Sequence, residues 1–167
     1  MTLTMYQASV PAFAHGLRVT MALIDKAATH AAETGLDPKE LADGRLAPDM
    51  LTFAGQIFRA SDTAKASAGR LTGVTPPAFP DEETTLDELK ERCAKTIAFL
   101  EGIPKEVFEG SEAREIPMFG TRNPKTFKGD DYLIVFGLPN FYFHVATAYD
   151  TLRHKGVPVG KRDFIGA

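Results

Sequence analysis

Asn140 and His144 lie four residues apart near the middle of a long apolar run, Asp131 to His154. At about 100° per residue, that spacing stacks an amide one turn before an imidazole on the same helix face. An imidazole so placed can take a proton or ligate a metal ion, and the amide can orient water or substrate beside it. Thr147 and Thr151 extend this polar line, and Leu133 and Phe136 continue it toward the start of the run as apolar residues. Pro139 removes a backbone donor and crowds the carbonyl of Val135, so a kink is expected just before the pair. Tyr142 and Tyr149 join the candidate ligand-binding set if their sides of the helix face inward. His154 lies further along, near the helix end, where its cation complements the dipole.

Other familiar chemistry is missing. The chain has no Gly-rich phosphate loop, no His-Glu-x-x-His, no paired cysteines and no Gly-x-Ser-x-Gly elbow. Cys93, the one cysteine, falls on an apolar helical stripe and reads as a small core residue instead of a nucleophile. His15 projects opposite its stripe and reads as solvated; His30, at a stripe edge, is read the same way.

Composition narrows the class of protein. The 167 residues fit a single domain, 1–167, with a real core, and the net charge of −3 with 44% apolar content is that of an ordinary soluble protein. There is no Lys/Arg block for nucleic acid and no apolar run long enough for a membrane span. A single cysteine and a start without leader features set the expectation of a cytoplasmic protein.

The elements that must carry the pair follow from periodicity. Residues 2 to about 34 repeat apolar side chains at helical spacing, with Pro11 inside the pattern and Gly35 placed to end it. Pro38 to Ala42 makes a single turn. A second helix is expected from Pro48, with Asp49 at its positive end and Met50, Phe53, Ile57, Ala60, Ala64, Ala68 and Leu71 as its face, closing at Gly73. Residues 74–80 are extended linker. Thr85-x-x-Glu88 is a capping box that opens a third helix, with Leu89, Cys93, Ile97 and Leu100 inward and Gly102 at its close. Residues 103–129 lose the helical period. Within them Pro104–Phe108 suggests one helical turn, and residues 115–119 and 125–127 suggest a short hairpin. The last helix follows from Gly129 or Asp130 to the stop at Gly156, and the tail after it reads as irregular, with Phe164 and Ile165 folding back or reaching a partner.

Four long helices, a hairpin before the fourth and a histidine midway along it resemble the DinB-like superfamily, which includes YfiT-like metal-dependent hydrolases and thiol-dependent transferases. The stretches Arg45-Leu-Ala-Pro-Asp-Met50, Leu138-Pro-Asn-Phe-Tyr-Phe-His144 and Gly160-Lys-Arg-Asp-Phe164 resemble a domain-of-unknown-function branch of it. The resemblance covers nearly the whole chain and implies an all-α, antiparallel four-helix bundle, arranged up-down-up-down or with one longer crossover, and a homodimer. Metal-binding members use a histidine on the second helix and a His-x-x-x-His pair on the fourth. Here the pair reads Asn140 and His144, and the second-helix position falls at or near Gln56, with Asp49 a weaker choice. The set His144, Asn140 and Gln56 would have to hold a divalent ion, zinc or nickel. Amides are poor ligands beside imidazole, so the expected state is one without metal. Two readings stand. One is a degenerate metal-dependent hydrolase or transferase with His144 as ligand or general base. The other is a non-catalytic small-molecule-binding or dimerisation bundle, in which the same residues hydrogen-bond one another across the helix interface.

Overall fold

The computed structural model describes residues 3–118, 120 and 124–166. Helix α1 runs over Met5–Thr34, opened by a capping box between Thr4 and Gln7 and ended by Gly35 in the left-handed region. Pro11 lies inside it on the exposed side, so the helix neither starts nor stops there. A one-turn helix α2, Pro38–Ala42, is followed by a turn and by α3, Phe53–Thr72. The second long helix thus begins after Thr52, whose hydroxyl accepts from the Gly55 amide, and not at Pro48. A side-chain cap satisfies orphan amides at a place that the proline and acidic-residue signals missed. Asp49 lies upstream of that cap and outside the helix.

Helix α4, Leu86–Glu101, starts at the capping box Thr85–Glu88. Two 3-10 turns, Lys105–Phe108 and Ser111–Ala113, lead to an antiparallel hairpin of β1, Glu115–Met118, and β2, Lys125–Lys128. Phe119 and most of the connecting turn lie outside the described residues. The last helix enters as α5, Gly129–Asp131, passes through a π-helical turn, Tyr132–Gly137, and continues as α6, Leu138–His154. The wide turn sits immediately before Pro139, and the Leu138 amide reaches back five residues to the Leu133 carbonyl. The tail is not wholly irregular: it forms α7, Lys161–Ile165, and Phe164 packs edge-on against Tyr149.

Side-chain partners give the directions of the helices. Asp25 pairs with Lys90 and Arg18 with Glu101, so α1 and α4 run opposite ways. Gln56 pairs with His144, Thr63 with Asn140 and Ser67 with Tyr132, so α3 and α6 do too. Helices α3 and α4 are joined by an extended segment, 74–85, that turns back along α3: the Pro77 carbonyl meets Lys65, and Asp81 meets Arg59. This is the longer crossover. The resulting all-α bundle buries Phe13, Leu17, Phe53, Ile57, Leu71, Leu89, Cys93 and Phe141 in one core. At the α1–α6 crossing a Cβ on Gly16 would collide with the buried Phe141 ring, so a larger residue there would force that ring to move. No helix among the described residues is long and apolar enough to cross a membrane.

Candidate functional site

Helix α3 supplies Gln56 and Thr63, two turns apart, and α6 supplies His144 and Asn140, one turn apart and running the other way. The antiparallel pairing therefore places Gln56 opposite His144 and Thr63 opposite Asn140. The His144 Nδ1 and Gln56 Oε1 atoms are 2.8 Å apart, and Asn140 Nδ2 donates to Thr63 Oγ1 at 2.9 Å. Gln56 is 1% exposed, and its own NH2 group points to the Leu51 carbonyl at 3.5 Å. His144 and Asn140 are half-buried.

An amide oxygen only accepts, so the proton in the His144–Gln56 bond sits on Nδ1. In the neutral ring Nε2 then keeps its lone pair. Burial, aided by the nearby Arg59 guanidinium, lowers the His144 pKa from its ordinary value, which favours that neutral ring. The result is a half-buried imidazole with a fixed tautomer, able to accept a hydrogen bond or a proton at one atom. Phe143 stands edge-on to it, ring centroids 5.2 Å apart.

The rest of the sequence-derived set lies elsewhere. The Tyr142 hydroxyl donates to the Ala12 carbonyl on α1 at 3.3 Å, and burial raises its pKa. Tyr149 packs on Phe164 of the tail. Both are roughly 140–200° around the helix from the Asn140–His144 line, which is why they meet other neighbours. Thr147 and Thr151 are buried and return their hydroxyls to carbonyls of their own helix. His15 contacts the Ile165 carbonyl at 2.9 Å through Nε2, and His154 is exposed. Cys93 is fully buried and its thiol is pushed up to about 12, so it is no thiolate at neutral pH.

A metal ion is tested by the donors present. Among the described residues no three His, Cys, Asp or Glu side chains converge as a metal site requires. Of the remaining candidates, the Gln56 oxygen already accepts from His144, and Asn140 is turned to Thr63. One imidazole and two engaged amides do not fit a divalent ion that prefers nitrogen and thiolate donors.

Sequence reasoning missed a second polar cluster, built around Arg92. Its guanidinium is fully buried and meets Asp62 at 3.1 Å, Asp81 at 3.0 Å and Glu83 at 3.0 Å, as well as the Pro80 carbonyl at 2.9 Å. It lies over the Phe58 ring, 4.8 Å from the centroid. Lys65, also buried, adds a contact to Asp62 at 3.2 Å and sits over Phe79 at 3.9 Å. The signal was legible: Arg92 falls between Leu89 and Thr96 on the inward stripe of α4, with an acidic run just upstream of that helix.

Fold and site define a DinB-like helical bundle whose last helix carries one inward histidine. A crystal structure of a DinB family member protein from Shewanella denitrificans superposes with a TM-score of 0.92, at 38% identity over 97% of this chain and 92% of that one. The family model of a domain of unknown function, DUF1993, matches residues 5–165, so this chain belongs to that family within the DinB-like proteins. None of the curated proteins matches the chain.

Proposed function

We propose that the chain is a DinB-like protein that binds a small protic ligand without metal, at the α3–α6 face, with His144 Nε2 as acceptor. The observation that carries this reading is the 2.8 Å bond from His144 Nδ1 to Gln56 Oε1. With the amide oxygen as acceptor, the ring proton belongs on Nδ1 and the lone pair on Nε2. A ligand hydroxyl, thiol or amine would donate to that nitrogen, and Asn140, with Thr63, would orient it. If the ligand is also a substrate, His144 is the group that removes its proton. The donor set does not fit a metal ion, so no step runs through one.

The test has two parts. Long-range nitrogen–proton NMR of the wild type should show His144 as the Nδ1-protonated tautomer at pH 7. A thermal-shift screen with small alcohols, thiols and amines should then yield compounds that raise the Tm of the wild type and not of His144→Gln. Stoichiometric zinc or nickel in untagged protein, lost in His144→Ala, would overturn the metal-free reading in favour of a metal-dependent hydrolase or transferase.

A homodimer through the same face is a second reading, favoured by exposed apolar side chains. Val135 and Phe143 on the last helix are 62% and 55% exposed, and Leu51 at the head of α3 is exposed too. Large apolar side chains left in water can be covered by a second copy of the chain. Sedimentation should give a dimer for the wild type and a monomer for Phe143→Glu. A single cysteine kept as a free, buried thiol suits the reducing cytoplasm, where we place the protein.

A further inference from the structure

Helix α3 carries a cation between the two residues that meet the α6 pair. Arg59 follows Gln56 by three residues and precedes Thr63 by four, so it lies one turn from each, on the same side of the helix. Ala60, the next residue round toward the core, is buried, whereas the Arg59 side chain is 43% exposed. Arg59 therefore stands at the outer edge of the α3–α6 seam. Its charge reaches the imidazole: after burial, this guanidinium is what lowers the His144 pKa. On the α6 side Phe143, more than half exposed, sets its ring edge-on to His144. The acceptor nitrogen of His144 thus has a cation on the α3 side and an open aromatic ring on the α6 side.

Arg59 is also the cation that the charged cluster around Arg92 can spare. It meets Asp81 and, at 3.5 Å, Asp62. Both carboxylates hold Arg92 as well, at 3.0 and 3.1 Å, and Asp62 has Lys65 at 3.2 Å. Arg92 and Lys65 are sealed in, with 0% and 5% of their side chains exposed, and cannot turn outward. If Arg59 swings to a ligand, Asp62 and Asp81 each keep a buried cation, and both are open enough to take up water. The loss is that of an exposed ion pair, which is small. A planar guanidinium so placed matches a carboxylate with two parallel N–H donors. A neutral ligand gains nothing from it, and a cationic one is repelled.

We infer that the ligand of the His144 site is a small carboxylate with a neighbouring protic group and an apolar body. The protic group donates to His144 Nε2, the carboxylate pairs with Arg59, and the body lies against Phe143. This rests on the metal-free reading of His144 given above and adds to it the charge of the ligand and the residue that selects it.

Three probes share a phenyl ring. Racemic mandelate has a hydroxyl and a carboxylate, racemic 1-phenylethane-1,2-diol has hydroxyls alone, and phenylacetate has the carboxylate alone. Each is titrated against the full chain by calorimetry and by NMR at pH 7 and low salt. Mandelate should bind roughly tenfold more tightly than either of the others, with shifts at His144 and Phe143. Arg59→Gln should bring mandelate to the level of the diol, leave the diol unchanged and leave Tm nearly unchanged. It should also raise the His144 pKa in the free protein, followed by the ring-proton shifts, a readout that needs no ligand. His144→Gln should weaken mandelate and the diol and spare phenylacetate. Equal binding of mandelate and diol by the wild type, undiminished mandelate binding by Arg59→Gln, an unmoved His144 pKa or a large Tm loss in that variant would each overturn the anionic assignment and leave His144 as acceptor. Undiminished binding by His144→Gln, or no binding of any probe, would overturn both.

Discussion

Two polar clusters lie on α3 and differ in kind. Around Arg92 the cations Arg59, Lys65 and Arg92 face the carboxylates of Asp62, Asp81 and Glu83, and the Pro77 and Pro80 carbonyls of the crossover accept from the Lys65 ammonium and the Arg92 guanidinium. Of the buried side-chain nitrogens and oxygens among the described residues, only Arg92 Nε has no hydrogen-bond partner. Charge is balanced and nearly every donor is used, so this cluster fastens the segment 74–85 to α3 and α4. At His144 the groups are neutral, few and incompletely used: one hydrogen bond fixes the ring and leaves a basic nitrogen. The difference teaches that the more elaborate cluster is architectural and the sparser one can do chemistry. A group whose hydrogen bonds are all made has nothing left for a ligand.

The largest effect should come from breaking the charged cluster. Arg92→Met leaves Asp62, Asp81 and Glu83 without their shared cation and should cost about 2–4 kcal/mol in urea unfolding at pH 7. The partly exposed carboxylates can rehydrate, which keeps the loss at the lower part of the range for broken buried pairs. A change below that of an ordinary surface substitution would remove the architectural role.

Next comes the neutral pair. Gln56→Leu leaves the His144 Nδ1 proton unpaired in a half-buried place and should cost about 1–2 kcal/mol. The double variant with His144→Phe should lose less than the two singles together, because each single already breaks the shared bond. Strict additivity would mean that the 2.8 Å bond contributes nothing.

The pH dependence sharpens the contrast further. Folding lowers the His144 pKa below its ordinary 6.5, so the unfolded chain takes the proton first as pH falls. Stability from the neutral ring is complete above 6.5 and is lost progressively as pH drops through that value toward the lower folded pKa. Subtracting the pH–stability curve of His144→Gln from that of the wild type should isolate this slope. Glu88, lowered by the Thr84 and Thr85 amides at the α4 cap, acts in a separate window below its ordinary 4.5. A wild-type curve that stays level between 6.5 and 5 after that subtraction would refute a depressed His144.

The smallest effect is expected at a pair outside both clusters. Lys39 and Asp43 are bound at 2.6 Å but stand in water, and Lys39→Gln should leave the unfolding midpoint unchanged. Pairing by itself therefore does not make a cluster; burial does.

Much of this was legible in the chain. The stops at Gly35 and Gly73, the capping box at Thr85, the inward stripes of α1, α3 and α4 and the hairpin strands follow from local rules, because each is fixed by residues within one or two turns. The amide-and-imidazole spacing of Asn140 and His144 was equally local. Their partners were not. That Gln56 meets His144 while Asn140 turns to Thr63 depends on the rotation and register of α3 against α6, and Tyr142 faces α1 for the same reason. The start of α3 at Thr52, the π-helical turn before Pro139 and the burial of Arg92 were likewise decided by packing. Sequence by itself determined which faces are apolar and where helices end, since both are properties of neighbours along the backbone. Only the tertiary structure decided which polar groups meet, since a hydrogen bond between helices needs an alignment of a few ångströms that no single helix encodes.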